Sequence, residues 1–424
     1  MKNKILILIA SWLFSTSVFA INLVDEVSEQ YVKLVLALGE HDPGYVDAYY
    51  GPKEWQVKAS SKKMALTKII LVAKNLQQLI KQQSANDEMS KLRLNYLQVQ
   101  LSALHARAEI LNGKKLDFDQ QSLALYDTES PHFKLSKFDI ILQALDELLP
   151  GAEPLIVKAK KFNDQFIIPK DKLAAVFDIA IKACRERTMR FIELPENENF
   201  QLEFVTGKPW SGYNWYKGGS FSLIQVNTEY PINISRAIDL GCHEGYPGHH
   251  TYNALLEANL VKKRNWKEFS IYPLYSPQSL IAEGSANYGI EMAFPGNEKI
   301  NFEKESLFPV AGIDPSLADR YQKYAKLASK LKYVGNELAR LYLNGQIDKI
   351  EAIKLVQEYT LVGAQKAAQR IDFWDTYGAY VINYNWGKDM VKNWVESGQD
   401  QSPKGRWKRF AKLLSSPRLP STLN

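Results

Sequence analysis

Asn233-Ile234-Ser235-Arg236-Ala237-Ile238-Asp239-Leu240-Gly241-Cys242-His243-Glu244-Gly245-Tyr246-Pro247-Gly248-His249-His250 is the stretch on which the reading of this chain turns. Its first half suits a helix beginning near Ser235. Its second half cannot continue that helix regularly. Pro247 lacks a backbone donor and biases Tyr246 away from helical angles, while Gly248 accepts unusual ones. The spacing therefore predicts a helix that bulges or breaks between Tyr246 and Gly248. Three of the six histidines in the chain fall within its last eight residues.

Histidines this dense, with a carboxylate beside the first, have the composition of a zinc site. Neutral imidazole binds divalent zinc well, and an adjacent Glu can take a proton from a water that the ion activates. The run resembles the His-Glu-x-x-His pattern of zinc peptidases, but its fourth position after His243 is Pro247, which has no donor atom. In a straight helix His243 and His250 share a face but stand about 10.5 Å apart along the axis, too far for one ion. A two-residue bulge would bring His249 beside His243, and a three-residue irregularity would bring His250 there. The reading leans to His249 without settling it. A third ligand is expected from the helix-like segment Ile281 to Glu291, rich in small residues, and Glu283 is the choice. Glu291, over two turns further on, would act only by holding a ligand histidine.

Around this core the chain reads as mainly α and multi-helical, with a small β element beside the site helix. Its 424 residues are 46% hydrophobic and 24% charged, ample for a core. Amphipathic patterns predict helices over residues 62–83, 89–111, 136–149, 171–194, 316–344, 349–362 and 377–395. Strands are expected at Leu202–Val205 and Phe221–Val226, joined by a loop from Gly207 to Gly219 whose aromatics would form a mobile lid or pack internally. The strand Ser220–Asn227 would either present an edge to an extended peptide or pack as a short hairpin. The domain reading is a signal peptide over residues 1–20, an N-terminal helical lobe over 21–200 and a catalytic lobe over 201–424, with one continuous domain as the alternative.

Lys2 and Lys4, an apolar run from Ile5 to Phe14 and small residues ending at Ala20 read as a secretory signal cut after Ala20. A periplasmic or secreted protein is expected, without a transmembrane segment in the mature chain. No cysteine follows the cut, which argues against a lipid anchor there. The net charge of +6 is dispersed, so nucleic acid is excluded as a partner on composition. Cys184 and Cys242 are expected as small buried thiols in preference to a disulfide. His41, His105 and His132 are isolated, and the basic stretch Lys404–Leu414 is expected to dock as a helix on its own domain.

The His-Glu-x-x-Pro-Gly-His-His run resembles the signature of a bacterial family known as domain of unknown function 885. Glu283-Gly284-Ser285-Ala286-Asn287-Tyr288 is similar to that family's Glu-Gly-Trp-Ala-x-Tyr, departing at Ser285. Tyr384-Asn385-Trp386-Gly387 resembles its late Tyr-x-x-Gly segment, although the preceding Pro-Gly-Gln is replaced by Gly378-Ala379-Tyr380. The matching motifs span roughly residues 200 to 390. The early run His41 to Pro52 resembles a related subgroup and carries no assigned chemistry. The resemblance implies a mainly helical protein with a zinc-peptidase-like centre and supplies no substrate.

The chemistry expected is zinc-assisted hydrolysis of a peptide or small amide. His243, His249 (or His250) and Glu283 would hold Zn2+, and Glu244 would act as general base. Tyr384 would steady the oxyanion, with Tyr380 and Arg370 as further candidates. Alternatives are a zinc hydrolase of small amides or esters, a peptide- or envelope-fragment-binding protein without turnover, and a histidine cluster that only packs.

Overall fold

The computed structural model describes residues 23–208 and 210–423. The expected signal peptide therefore lies outside the described residues. The chain is mainly helical, as the patterning predicts. Among the described residues no helix is long and apolar enough to cross a membrane.

The first helix, α1 (residues 23–39), is buried along most of its length by Val27, Tyr31, Leu34, Val35 and Leu38. Against it pack α2 (Leu66–Lys81) and α3 (Glu88–Leu111). Helix α2 forms because Ile69, Ala73, Leu76 and Ile80 recur every three or four residues and bury one stripe. At the start of α3 the Asp87 carboxylate accepts from the Ser90 N–H at 3.0 Å, satisfying one orphan donor of the first turn. The buried Glu268 ties these helices to the later chain, receiving Arg93 at 2.6 and 3.2 Å and the Ser28 hydroxyl. Contacts thus cross residue 200, and one hydrophobic cluster runs from Val24 to Leu423.

Two small sheets flank the helices. Strand β1 (Val46–Tyr49) pairs antiparallel with β5 (Ile271–Pro273), with an irregular register between Val46 and Ala48. The second sheet holds β2 (Asn199–Val205), β3 (Gly212–Gly218) and β4 (Phe221–Asn227) in the order β2-β4-β3, with β2 parallel and β3 antiparallel to β4. Two expectations change here. The segment expected as a loop contains β3, because Tyr213 to Tyr216 alternate their side chains across a pleat. Strand β4 is central, so the edge lying alongside the site helix belongs to β3.

The helix expected over 171–194 is α4 (Leu173–Met189). It leads by way of the second sheet to α5 (Ser235–Leu240), the π-turn Gly241–Gly245 and α6 (His249–Leu256). Cys184 of α4 and Cys242 of the π-turn form a disulfide, with Cα atoms 5.4 Å apart, where free thiols were expected. The two cysteines face each other because α5 and the π-turn pack along α4. Helix α7 (Pro277–Ala293) then crosses under the site.

The region expected as one helix over 316–344 is two, Ala318–Ala328 and Val334–Leu343, parted by a 3-10 turn in which the Ser329 hydroxyl donates to the Lys326 carbonyl. Patterning misses α8 (Ala364–Tyr377), whose buried face is only Ala367, Ile371 and Trp374. After a break at Gly378, α9 (Ile382–Glu396) lies against α7 so tightly that a Cβ on Gly284 would meet the Gly387 backbone at 2.4 Å. The Glu-Gly and late Gly motifs are thus one backbone contact. The last helix, α10 (Pro403–Leu414), docks through Trp407, Phe410, Leu413 and Leu414 as expected.

Closing the disulfide joins positions 58 residues apart, which restricts the unfolded chain. A Cys184→Ala/Cys242→Ala variant should lose about 2–4 kcal/mol of stability in denaturant titration. Unchanged stability, or free thiols in the oxidised wild type, would remove the bridge.

Candidate metal centre

The helix break performs the compression that the spacing requires. After the π-turn the chain leaves helical geometry at Tyr246, and the Gly248 N–H donates to the Cys242 carbonyl at 2.9 Å. A Cβ on Gly248 would stand 1.8 Å from the His243 carbonyl oxygen, so only glycine lets the two segments meet this closely. As a result His243 Nε2 and His249 Nε2 lie 3.2 Å apart. Glu283 of α7 faces both, with carboxylate oxygens 3.1 Å from His243 Nε2 and 3.7 Å from His249 Nε2.

These separations allow a direct test of fit. Four-coordinate zinc with bonds of about 2.0–2.2 Å sets its donors about 3.3–3.6 Å from one another. The 3.2 Å between the imidazole nitrogens, with 3.1 Å from His243 Nε2 to Glu283 Oε2 and 3.7 Å from His249 Nε2 to Glu283 Oε1, is close to that spacing, each histidine facing a different oxygen of the carboxylate. Glu283 Oε2 is buried and accepts no hydrogen bond, as a ligand oxygen would be found without its ion. The donors that lie within 4.8 Å of one another are those of His243, Glu244 and His249, so Glu244, like Glu283, stands next to the two imidazoles. Glu283 faces both imidazoles and Glu244 stands beside them, so either carboxylate is placed to share an ion with the two histidines. Glu244 is buried, and its Oε1 lies so close to β3 that a Cβ on Gly212 would approach it to 3.0 Å. Asn214 of β3 fixes the backbone there by donating to the Glu244 carbonyl at 2.7 Å.

His250 does not join the group. Its ring is fully buried and bridges the sheet to the site helix, with Nδ1 2.8 Å from the Ser222 hydroxyl and Nε2 2.9 Å from Glu198. Glu198 also accepts from Tyr246 and Arg185, each at 2.6 Å. The start of a new helix at His249 explains the parting: successive residues there point about 100° apart, so only one can face His243.

Glu291 also differs from expectation. It pairs with Lys388 and Lys392 at 2.6 and 2.9 Å, on the far turns of α7. The partner of His243 is Asn287, whose Oδ1 lies 3.2 Å from Nδ1 while its Nδ2 donates to the Tyr384 carbonyl at 3.0 Å. The Asn287 amide is therefore oriented with its oxygen toward Nδ1, and Nε2 is the nitrogen turned toward Glu283 and His249.

The tyrosines divide. Tyr380 donates to Glu283 Oε1 at 2.9 Å. Tyr384 packs edge-on against Tyr380 and is 37% exposed. Burial, then the Glu283 and Glu244 carboxylates, push its phenol well up, so it stays a protonated donor facing the site. Arg370 stands elsewhere: burial alone lowers its guanidinium, with no site carboxylate acting on it.

Asp47 was not singled out from sequence. It sits at the irregularity in β1, where a bulge turns a side chain out of the regular alternation. Tyr213 of β3 donates to it. Burial lifts its carboxyl to about 6, against that hydrogen bond and the His249 charge. The early His41–Pro52 run was the available signal, since it held more turn and aromatic residues than a connector needs. His41, His105 and His132 lie apart: His41 is hydrogen-bonded to the Met64 carbonyl, and His105 and His132 stand 3.6 and 3.3 Å from Glu109 and Asp119.

No family model matches the sequence, and no curated protein matches it. Solved structures do. The crystal structure of "the putative lipoprotein from Colwellia psychrerythraea" superposes with a TM-score of 0.53 at 14% identity, covering 87% of this chain and 68% of that one. A putative lipoprotein of unknown function from Shewanella oneidensis gives 0.48 at 12% identity, covering 87% and 74%. The first likeness establishes a shared fold.

Burial works against the His249 imidazolium, but Glu283, then Glu244 and Asp47, hold it up at about 9. Metal must displace that proton at neutral pH. Zinc affinity should rise by about tenfold per pH unit between pH 6 and 8; a flat profile would contradict the assignment. His249→Ala should abolish tight zinc uptake. His250→Ala should retain it while losing about 2–4 kcal/mol of stability, because Glu198 is left underbonded. The reverse pattern in metal analysis would exchange the two roles.

Proposed function

We propose that the protein is an exported zinc-dependent hydrolase that cleaves peptide bonds. The observation that carries this reading is the meeting of His243 and His249, 3.2 Å apart, with the Glu283 and Glu244 carboxylates beside them. When bound, zinc at this position would acidify a water and polarise a carbonyl.

The chain's own groups supply the rest. Glu244 takes the proton of the attacking water and delivers it to the leaving amine, so no free amide anion is expelled. Tyr384 donates to the carbonyl oxygen as negative charge develops on it. Tyr380 and Asn287 hold Glu283 and His243 in place through their hydrogen bonds. The edge of β3, next to Glu244, offers backbone groups to an extended peptide. The motif resemblance to the domain of unknown function 885 is consistent with the same centre. Export is supported by the signal-like N-terminus, by the disulfide and by the lipoprotein naming of the structural neighbours.

Glu244→Gln should keep one zinc per chain and lower turnover on a peptide library by at least about 100-fold. Tyr384→Phe should lower kcat/KM by about 100-fold with little change in metal content. Full activity of Glu244→Gln would remove it as the base.

A further inference from the structure

Away from the candidate centre, two helices enclose a surface groove of about 470 Å³. One is Asp139–Leu148, of which only Leu145 is fully buried, and the other is Ala318–Ala328. Phe133 joins their ends, packing on Phe138 and Tyr333 with ring centroids 6.3 and 5.0 Å apart, so the start of the first helix lies by the end of the second. Half-buried Ala144, Leu148 and Leu327 line the groove together with exposed Lys323, Lys326 and Lys330.

The lysines follow one another at intervals of three and four residues, which places them on one side of their helix and the turn that ends it. The opposite side is anchored. Tyr321 and Tyr324 are buried there, Tyr321 donating to Asn233 Oδ1 at 2.6 Å just before α5 and Tyr324 accepting from Asn163 at 2.9 Å. Among the described residues no carboxylate pairs with Lys323, Lys326 or Lys330. The one acid of the groove, Glu147, accepts from Gln143 at 3.0 Å, and the neighbouring Asp146 is bonded to Lys158 at 2.6 Å.

Ile140 continues the apolar line of Ala144 and Leu148, four and eight residues before them, toward the Lys330 end of the groove. It is 68% exposed. Lys137, also exposed, stands one turn earlier with its ammonium 3.9 Å from the centre of the Phe133 ring.

We propose that this face docks the protein peripherally on an anionic phospholipid bilayer. The cations are all lysines, point charges suited to a field of phosphates and not to the two-pronged grip that arginine gives one carboxylate. Their stems lie along the apolar floor while their ammonium groups reach the phosphate level. Ile140 then enters the boundary between headgroups and acyl chains, where its exposure is no longer costly. An acidic peptide would engage the lysines and leave Ile140 in water, so the exposed isoleucine favours the bilayer.

Sedimentation of the whole protein with lipid vesicles tests the proposal. Vesicles of phosphatidylglycerol and phosphatidylcholine in equal parts should bind it at least about tenfold tighter than phosphatidylcholine alone at about 0.1 M salt, and about 0.5 M salt should release most of it. Lys323→Gln/Lys326→Gln/Lys330→Gln should weaken binding at least about tenfold. Lys62→Gln/Lys63→Gln/Lys68→Gln removes the same charge from exposed lysines around the start of α2 and should cost less than about threefold. Ile140→Ser should weaken binding by about threefold or more. All these side chains are exposed, so each variant should keep the wild-type Tm. No preference for phosphatidylglycerol, or equal losses in the two lysine variants, would overturn the docking face. Vesicle binding that Ile140→Ser leaves unchanged would overturn the bilayer as its occupant, and displacement of the wild type by soluble polyglutamate would then identify an acidic peptide instead.

Discussion

The arrangement of the site depends on how the chain passes from α5 to α6. In a straight helix, residues six apart stand about 9 Å apart along the axis and face about 120° away from each other. His243 and His249 could not then share an ion. The π-turn, the extended residue Tyr246 and the contact of Gly248 with the His243 carbonyl fold those six residues into a span that brings the two imidazoles to 3.2 Å. The disulfide pins the near side of this irregular segment to α4, and the His250–Glu198–Tyr246 bonds pin its far side to the sheet.

The other components converge on the same spot by different physical means. Glu283 arrives because α7 and α9 cross at Gly284 and Gly387 with backbone in contact. Tyr380 and Tyr384 arrive on the far side of that crossing. Asp47 comes from a strand bulge far upstream in sequence, and Tyr213 and Asn214 from β3. Buried carboxylates gather around His249, and their mutual repulsion is offset by its charge in the metal-free protein. A divalent cation would offset it more strongly.

Legibility in the sequence follows the range of the forces involved. Long amphipathic helices such as α2 and α3 were readable, because periodic burial is a local property. The cluster of His243, Glu244 and His249 was readable because its members are close in sequence, and Glu283 because small residues mark a close-packed helix. The choice between His249 and His250 was not, since it depends on bulge geometry that Pro-Gly permits but does not dictate. Helix α8 was missed because its buried face is only Ala367, Ile371 and Trp374, too sparse a stripe for a periodicity search. Strand β3 was hidden by its glycines, and the disulfide by the 58 residues that separate its cysteines. Asp47 and Asn287 depend on tertiary contacts alone.

Zinc K-edge X-ray absorption on protein loaded with one equivalent of metal tests the central claim most directly. The account predicts nitrogen and oxygen donors only, at about 2.0–2.2 Å, with the multiple-scattering pattern of two imidazoles. A sulfur shell at about 2.3 Å, a three-imidazole pattern, or metal that stays hexa-aqua and washes off would contradict it.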